Sequence, residues 1–381
     1  MRSQISAGQT IASVGVIGAG IFGVSAALEL ADSGFAVTLY EKCDDIVRGT
    51  TARNFFRVHR GYHYPRDLAT ARAARDGYEL FTRTFSDALI AHTPHHYAIA
   101  SAGSQTTAEM FEEHCYLLGI RARRVQVPDL VPGSVEACFE VDEAYYDTTL
   151  LRKIAWQRLL AAGVLVELKH TRAAHEFTQR HDFLVVAAYG ALNEILQELE
   201  RPAVELQYEL CEVPIVHVPD MGRASFVVLD GPFVSVAPYG DGCHIFYDVV
   251  NSVHERSIGY ANPFSQYLTT ERSELRSRLC ARTRFDPILS SARRFLVPLA
   301  NVVHVGSLFS ERVIIPRVEK TDSRPTVVTW VSPTMVSILS GKVSTSVVTA
   351  RFIAASIASK VGGVRAERPS ALLATDENQL L

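Results

Sequence analysis

Val14-Gly15-Val16-Ile17-Gly18-Ala19-Gly20-Ile21-Phe22-Gly23 is the stretch on which the reading of this chain turns. Val14–Ile17 reads as a buried strand, and the glycines lead directly into an apolar helix, Val24–Ser33. Gly34 stops that helix, Ala36–Tyr40 reads as a second strand, and Glu41 closes it, followed by Lys42. A GxGxxG match alone is weak. Between a strand and a helix, with an acid at the end of the next strand, it predicts a dinucleotide site. Gly18 allows the tight turn, Gly20 lets backbone approach a pyrophosphate, and Gly23 lets helix and strand pack closely. Ile21 and Phe22 open the helix, whose N-terminal NH groups and dipole favour an anion. Glu41 is placed to bind ribose hydroxyls, and its charge disfavours a 2′-phosphate.

Outward from this unit, helix-to-strand pattern returns at Thr148–Leu168, at Asp182–Ala188 with the helix Ala191–Glu200, and at Val327–Val331 with a helix from Val343 to about Lys360. Helices are also expected at Leu68–Phe85, Thr107–Leu118 and Phe264–Arg282. Between Val204 and Ala300 the pattern is strand-rich and broken by Pro and Gly. The expected architecture is α/β: a discontinuous Rossmann-like domain (1–89, 146–203 and 301–365) carrying an inserted, mainly antiparallel β-sheet domain (90–145 and 204–300). A flexible tail (366–381) follows. A motif so near the N-terminus, with a second apolar strand ending at Ala188, suits FAD better than NAD.

The chain has 381 residues, a formal net charge of −3, 48% hydrophobic and 21% charged residues. This balance argues against nucleic acid as a partner, and no apolar run is long enough for a membrane span. The six cysteines are scattered without a CxxC pair, so neither a zinc site nor a disulfide framework is expected, and a cytoplasmic location follows. No metal-ligand spacing appears.

The segment Thr51-Ala52-Arg53-Asn54-Phe55-Phe56-Arg57-Val58-His59-Arg60-Gly61-Tyr62-His63-Tyr64 resembles the flavin-proximal segment of the D-amino-acid-oxidase-like (DAO) superfamily. The L-2-hydroxyglutarate oxidase branch is the most similar, reading Thr-Gly-(Arg/His)-Asn-Ser-Gly-Val-Ile-His-x-Gly-Ile-Tyr-Tyr before a Pro and a helix. Thr51, Arg53, Asn54, His59, Gly61 and Tyr64 match in register, and Pro65 falls one place early. The resemblance is specific over 14–64 and looser over 145–200 and 325–355. It implies non-covalent FAD, with its pyrophosphate at Gly18–Gly23 and Thr50, Thr51, Arg53 and Asn54 along the path to the flavin. Ala188 and the strand Val164–Leu168 would lie nearby. The loop and helix from Ser332, including Met335 and Lys342, would face the flavin N1/O2 edge and stabilise negative charge there.

The departures concern the substrate. Phe55-Phe56 stands where relatives carry Ser-Gly, and Arg57, Arg60 and His63 replace a Val, a small residue and an aromatic one. One reading places His59, His63 and Tyr64 over the flavin, with Arg57 or Arg60 binding a carboxylate or phosphate; the other is a basic surface loop. Tyr247 shares a strand face with Ile245 and Val249 and is a further ligand candidate. His244, His95 and His96 read as structural, Arg312 and Arg317 as surface charges, and Asp322 with Arg324 as a turn.

The expected function is an FAD-dependent oxidase or dehydrogenase that takes a hydride from the C–N bond of an amino acid or amine. The substrate would be a small, anionic molecule, with oxygen or another acceptor reoxidising the flavin. The alternatives are 2-hydroxy-acid oxidation with His59 or His63 as base, a nucleotide-sugar isomerase or mutase, and a non-catalytic FAD-binding protein.

Overall fold

In the computed structural model, residues 12–90, 93–170, 175–240, 242–265, 282–318, 320–362 and 373–375 are described. The first strand, β1 (Ser13–Ile17), buries Val14 and Val16 completely and pairs in parallel with β2 (Ala36–Tyr40) and β10 (Phe183–Val186). These three are the centre of a seven-stranded sheet in the order β19-β17-β18-β10-β1-β2-β9. Its other members are β9 (Leu165–Glu167), β17 (Val327–Ser332), β18 (Met335–Leu339) and β19 (Leu373–Thr375). Only the β17–β18 pair runs antiparallel. Helix α1 (Ile21–Asp32) is apolar almost all round because it is covered on both sides, by the sheet and by α8 (Ser346–Gly362) and α4 (Thr148–Ala161).

A second, nine-stranded and mostly antiparallel sheet joins β5 (His95–Ala100), β6 (Ala122–Val125) and β7 (Val135–Val141) to five strands from the middle of the chain. Those are β11 (Leu206–His217), β12 (Ser225–Leu229), β13 (Val234–Tyr239), β14 (Cys243–Asp248) and β15 (Val253–Gly259). The ninth is β16 (Val303–Ile314), which pairs along the whole of β11. Helices α3 (Ala108–Leu118) and α7 (Phe285–Arg293) pack on this sheet, while α5 (His175–Arg180) and α6 (Leu192–Glu198) flank β10. A small sheet of β3 (Arg57–Val58), β8 (Ala144–Tyr146) and β4 (Leu89–Ile90) lies between the two large ones in the chain's path.

The α/β class with an inserted antiparallel sheet is what the sequence pattern leads one to expect, with two differences. Val303–Ile314, expected within the cofactor-binding domain, is instead hydrogen-bonded antiparallel to β11 over Gln207–His217. Leu373–Thr375, expected in a frayed tail, extends the first sheet beside β17. The rest of that tail and almost all of the helix expected at Phe264–Arg282 lie outside the described residues.

Two glycines bring the elements of the site together. Gly61, at φ +111°, turns the chain between β3 and α2 (Leu68–Thr84), and a Cβ there would lie 2.9 Å from the Ala71 carbonyl oxygen. Gly77 on α2 lets the Ser344–Thr345 backbone press against the helix, where a Cβ would come within 2.4 Å of the Ser344 oxygen. That contact holds the segment before α8, with Lys342, against the Tyr64 ring.

Candidate active site

A cavity of about 640 Å³ runs between the two large sheets, within the range of small-molecule and cofactor sites. One end is the glycine turn. Gly18 sits at φ +99°, and a Cβ there would lie 2.6 Å from the Ala187 carbonyl oxygen. A Cβ on Gly23 would come within 1.7 Å of the Gly18 oxygen, so Gly23 serves packing and does not line the cavity. Gly20 faces the cavity, and a Cβ on it would meet only Thr51 Oγ1, at 3.6 Å. Ile21 N donates to Thr51 Oγ1 at 3.3 Å, joining the helix start to the following segment. Glu41 accepts from Ala19 N at 2.8 Å and Cys43 N at 2.9 Å, which holds its carboxylate at the cavity edge with capacity for further hydrogen bonds. Lys42, Thr50, Thr51, Asn54 and Ala188 line the same half. So do His170 and Phe177, which pack on Tyr40 with centroids 4.7 and 4.6 Å away.

The middle of the cavity is the segment Asn54–Tyr64. Phe56 holds φ +55°, a conformation that suits glycine, at the place where the resembling segment carries one. It is kept there by a 2.5 Å bond from its N–H to Asn54 Oδ1 and by stacking on Tyr239 at 5.6 Å. Arg57 is buried and lines the cavity, yet its guanidinium is engaged on every nitrogen. Nε and Nη2 donate to Tyr145 Oη at 3.3 Å, Nη1 to Tyr97 Oη at 3.2 Å, and Nη1 also meets His63 Nδ1 at 3.4 Å. Glu143 lies 3.6 Å away and accepts from Tyr97 Oη at 2.8 Å. Burial alone would lower the Arg57 pKa, but Tyr145, Tyr97 and Glu143 outweigh it and keep the cation charged.

His59 and His63, with centroids 5.3 Å apart, are held neutral, well below the usual histidine range. Burial is the main cause for both. Lys342 and Arg57 add repulsion at His59, and His59, Arg57, Lys342 and Arg324 do so at His63. Lys342 Nζ stands 4.8 Å over the Tyr64 ring, and burial, with Arg324 next, brings it down to about 7. His59 Nδ1 and Tyr64 Oη are buried without hydrogen-bond partners.

The far wall belongs to the antiparallel sheet. Gln207, Glu209, Cys211 and Val213 alternate along β11 toward the cavity, and Arg312 lies opposite Glu209 on β16. Glu209 is fully buried and bonds Arg312 Nε at 2.6 Å, Arg256 Nε at 2.9 Å and Gln207 Nε2 at 2.7 Å. Tyr247, whose ring meets that of Phe55, accepts from Arg312 Nη1. Burial would raise the Glu209 pKa, but Arg312, Gln207 and Arg256 prevail and lower it. Glu311 lines the cavity beside Thr50 and Gly190, and burial raises its pKa.

Most expected residues are thus gathered at one cavity: Gly18, Gly20, Ile21, Phe22, Glu41, Lys42, Thr50, Thr51, Asn54, Ala188, Lys342, Arg57, His59, His63, Tyr64 and Tyr247. Four are not on its wall. Arg60 turns outward to Glu79 at 3.3 Å and the Tyr78 ring, since the residue after His59 points away from the cavity. Met335 is buried in the core between the first sheet and α6 through its pairing with Leu184, so residues 340–343 line the cavity instead. Arg53 and Gly23 lie off the lining. Arg312, read from sequence as a surface charge, is on the wall, as are Glu209, Arg66, Asp230, Asp322 and Arg324. The polar alternation Gln207-Glu209-Cys211 in an otherwise apolar strand was the available signal.

A dinucleotide fits these residues: Gly20 leaves open space in front of a helix N-terminus, and Glu41 keeps acceptor capacity at the adjoining strand end. A two-sheet protein with this site at the end of β1 and a second wall from an antiparallel sheet belongs to the flavin-dependent oxidoreductase class. The family model described as FAD dependent oxidoreductase (DAO) matches residues 13–320, and the chain belongs to that family. FAD is its cofactor. The FAD-dependent monooxygenase kojA of Aspergillus flavus is 29% identical over 250 residues, 59% of this chain and 58% of that protein. The chain therefore spans somewhat over half the length of that relative. The FAD-dependent monooxygenase FPY4 of Fusarium mangiferae is 26% identical over 78% of this chain and 76% of its own length. Among solved structures, glycine oxidase from Geobacillus kaustophilus shares the fold with a TM-score of 0.67 at 12% identity, covering 94% of this chain and 99% of its own. Iminodiacetate oxidase from Chelativorans sp. BNC1 gives 0.63 at 15% identity, with 95% and 99% covered. Among the described residues no helix is long and apolar enough to cross a membrane, and no group of His, Cys, Asp and Glu is arranged to hold a metal.

Proposed function

We propose that this FAD-dependent oxidoreductase takes a hydride from the nitrogen-bearing carbon of a small amino compound, oxidising its C–N bond to an imine, with that compound held between the His59–Tyr64 segment and the Gln207–Arg312 wall. FAD, bound non-covalently along Gly18–Glu41 and Thr50–Asn54, supplies the hydride acceptor. The observation that carries the reading is the buried His59–His63 pair beside Arg57, where burial first, and then His59, Arg57, Lys342 and Arg324, hold His63 neutral. The same burial and positive neighbours favour a bound amine in its neutral form, and a neutral amine releases hydride without a protein base. His63, Tyr64 and Phe55 orient the reacting carbon and exclude water. Oxygen or another acceptor then reoxidises the cofactor.

A second reading, oxidation of a C–O bond as in the L-2-hydroxyglutarate oxidase branch, is supported by His59, a neutral ring whose Nδ1 has no hydrogen bond and lies 3.8 Å from Glu143. The nucleotide-sugar reading has lost its support, since Arg60 leaves the cavity and Arg57 is committed to internal partners. Anaerobic bleaching of the flavin decides. Amino compounds should reduce it, and His59→Ala should cost little. Bleaching by hydroxy compounds alone, with a loss of roughly 10²–10⁴-fold in His59→Ala, establishes the second reading. A flavin bleached by neither class sinks both.

A further inference from the structure

Among the described residues, four of the five arginines lining this cavity have both terminal nitrogens engaged within the protein. Arg57 is bound on all three nitrogens, as described above. Arg66 pairs with Asp230 through Nε at 2.6 Å and Nη2 at 3.1 Å, and its Nη1 donates to the Lys320 carbonyl at 2.5 Å. Arg312 uses Nε and Nη2 on Glu209 and Nη1 on Tyr247. Arg324 Nη2 holds Asp322 at 2.5 Å and Nη1 donates to the Ser323 carbonyl at 2.8 Å. Arg256 is the exception: half-exposed, it gives only Nε to the second oxygen of Glu209. Each arginine lining the cavity therefore has a carboxylate of the protein beside it. Lys342 forms no ion pair among the described residues, but a single ammonium lacks the planar fork that grips a carboxylate by two parallel bonds.

The groups left without partners are of a different kind. Tyr64, 1% exposed, has a free hydroxyl, and Gln207, 2% exposed, has a free amide oxygen. Both line the cavity, together with the unpartnered His59 Nδ1. A buried hydroxyl or amide oxygen without a partner is costly, and these three atoms are where a ligand supplies the missing bonds. All three are uncharged.

Building on the placement of the substrate at this end, we infer that the site takes an uncharged, hydroxyl-bearing molecule, a polyol or the free-amine form of an amino alcohol, and not a carboxylate. Hydroxyl groups both donate and accept, matching the Gln207 oxygen, the His59 nitrogen and the Tyr64 hydroxyl at once. A carboxylate only accepts. It finds the forks of Arg57, Arg66, Arg312 and Arg324 taken, and beside the half-exposed Arg256 it meets the acceptor oxygen of Gln207 and the ionised Glu209.

The test reads binding without turnover, so it can succeed where flavin bleaching fails. Holoenzyme is titrated with matched pairs, serinol against serine and glucose against gluconate, then with a wider set of polyols and amino alcohols. Ligand binding is followed by the shift of the flavin absorption bands and by the rise in Tm. Neutral members alone should bind. A carboxylate bound as tightly as its neutral partner overturns the inference, and so does the absence of any neutral ligand across the set. Glu209→Gln frees the Arg312 fork and should create carboxylate binding at least about 10-fold tighter than in the wild type, the scale of one charge-assisted hydrogen bond. Should that variant not fold, Tyr64→Phe decides: it should weaken the neutral ligand by about 5- to 10-fold with no gain for carboxylates. An unchanged affinity overturns the inference.

Discussion

Two glycines of the same motif should fail in different ways. Gly23→Ala places a Cβ 1.7 Å from the Gly18 carbonyl oxygen, a rigid backbone atom, so α1 must move off β1. Overpacking of this kind costs about 1–3 kcal/mol and more where backbone must shift. The apoprotein itself should therefore melt lower. Gly20→Ala places a Cβ 3.6 Å from Thr51 Oγ1, an ordinary contact, and Gly20 has φ −68°, which alanine adopts freely. Losing glycine at this N-cap costs under about 1 kcal/mol. The new methyl instead projects into the cavity, in front of the NH groups at the start of α1. Loss of one charge-assisted bond to the pyrophosphate is worth about 1.5–3 kcal/mol, or roughly 10- to 150-fold in FAD affinity. Apoprotein melting and fluorescence titration with FAD measure the two effects separately. Wild-type FAD affinity in Gly20→Ala would mean that no pyrophosphate approaches here. Equal destabilisation of both apoproteins would refute the division of roles.

Three further outcomes follow from the same geometry. Glu41→Gln should weaken FAD by about 1.5–3 kcal/mol through its ribose hydrogen bonds, and an unchanged Kd removes Glu41 from the site. Glu143→Gln leaves Arg57 charged and buried without its partner, so denaturant unfolding should show a loss of about 3–5 kcal/mol, relieved when Arg57→Met is added; a loss under about 1 kcal/mol would show that Tyr97 and Tyr145 suffice. For Lys342, burial lowers the ammonium from 10.5 to about 7 in the folded chain, so between those values the unfolded chain binds more protons and stability rises with pH. The penalty is complete below about pH 7 and absent above about 10.5. The apoprotein of Lys342→Met should accordingly gain most in Tm over the wild type below pH 7, with the gain shrinking toward pH 10.5; a pH-independent difference would contradict the burial of a charge.

Sequence alone determined the nucleotide half of this protein. The turn at Gly18, the helix start at Ile21 and the acid at Glu41 follow from local rules: steric freedom at glycine, the dipole of a helix terminus, the period of a buried strand. Each depends on residues close in the chain, so it can be read without knowing what lies across the cavity. The Asn54–Tyr64 segment stood out by resemblance, and the fold brings it to the cavity. Its individual roles were not. Arg57 and Arg60 look alike in sequence, but only the fold sets Glu143, Tyr97 and Tyr145 around the first and turns the second toward Glu79. The wall opposite was the least legible part. Period-two alternation says that a strand has two faces, not what each one meets, and Glu209 and Arg312 are 103 residues apart. A charge draws its meaning from its partner. Tertiary structure alone brought these partners together, and with them decided which cations of the cavity stand beside a carboxylate.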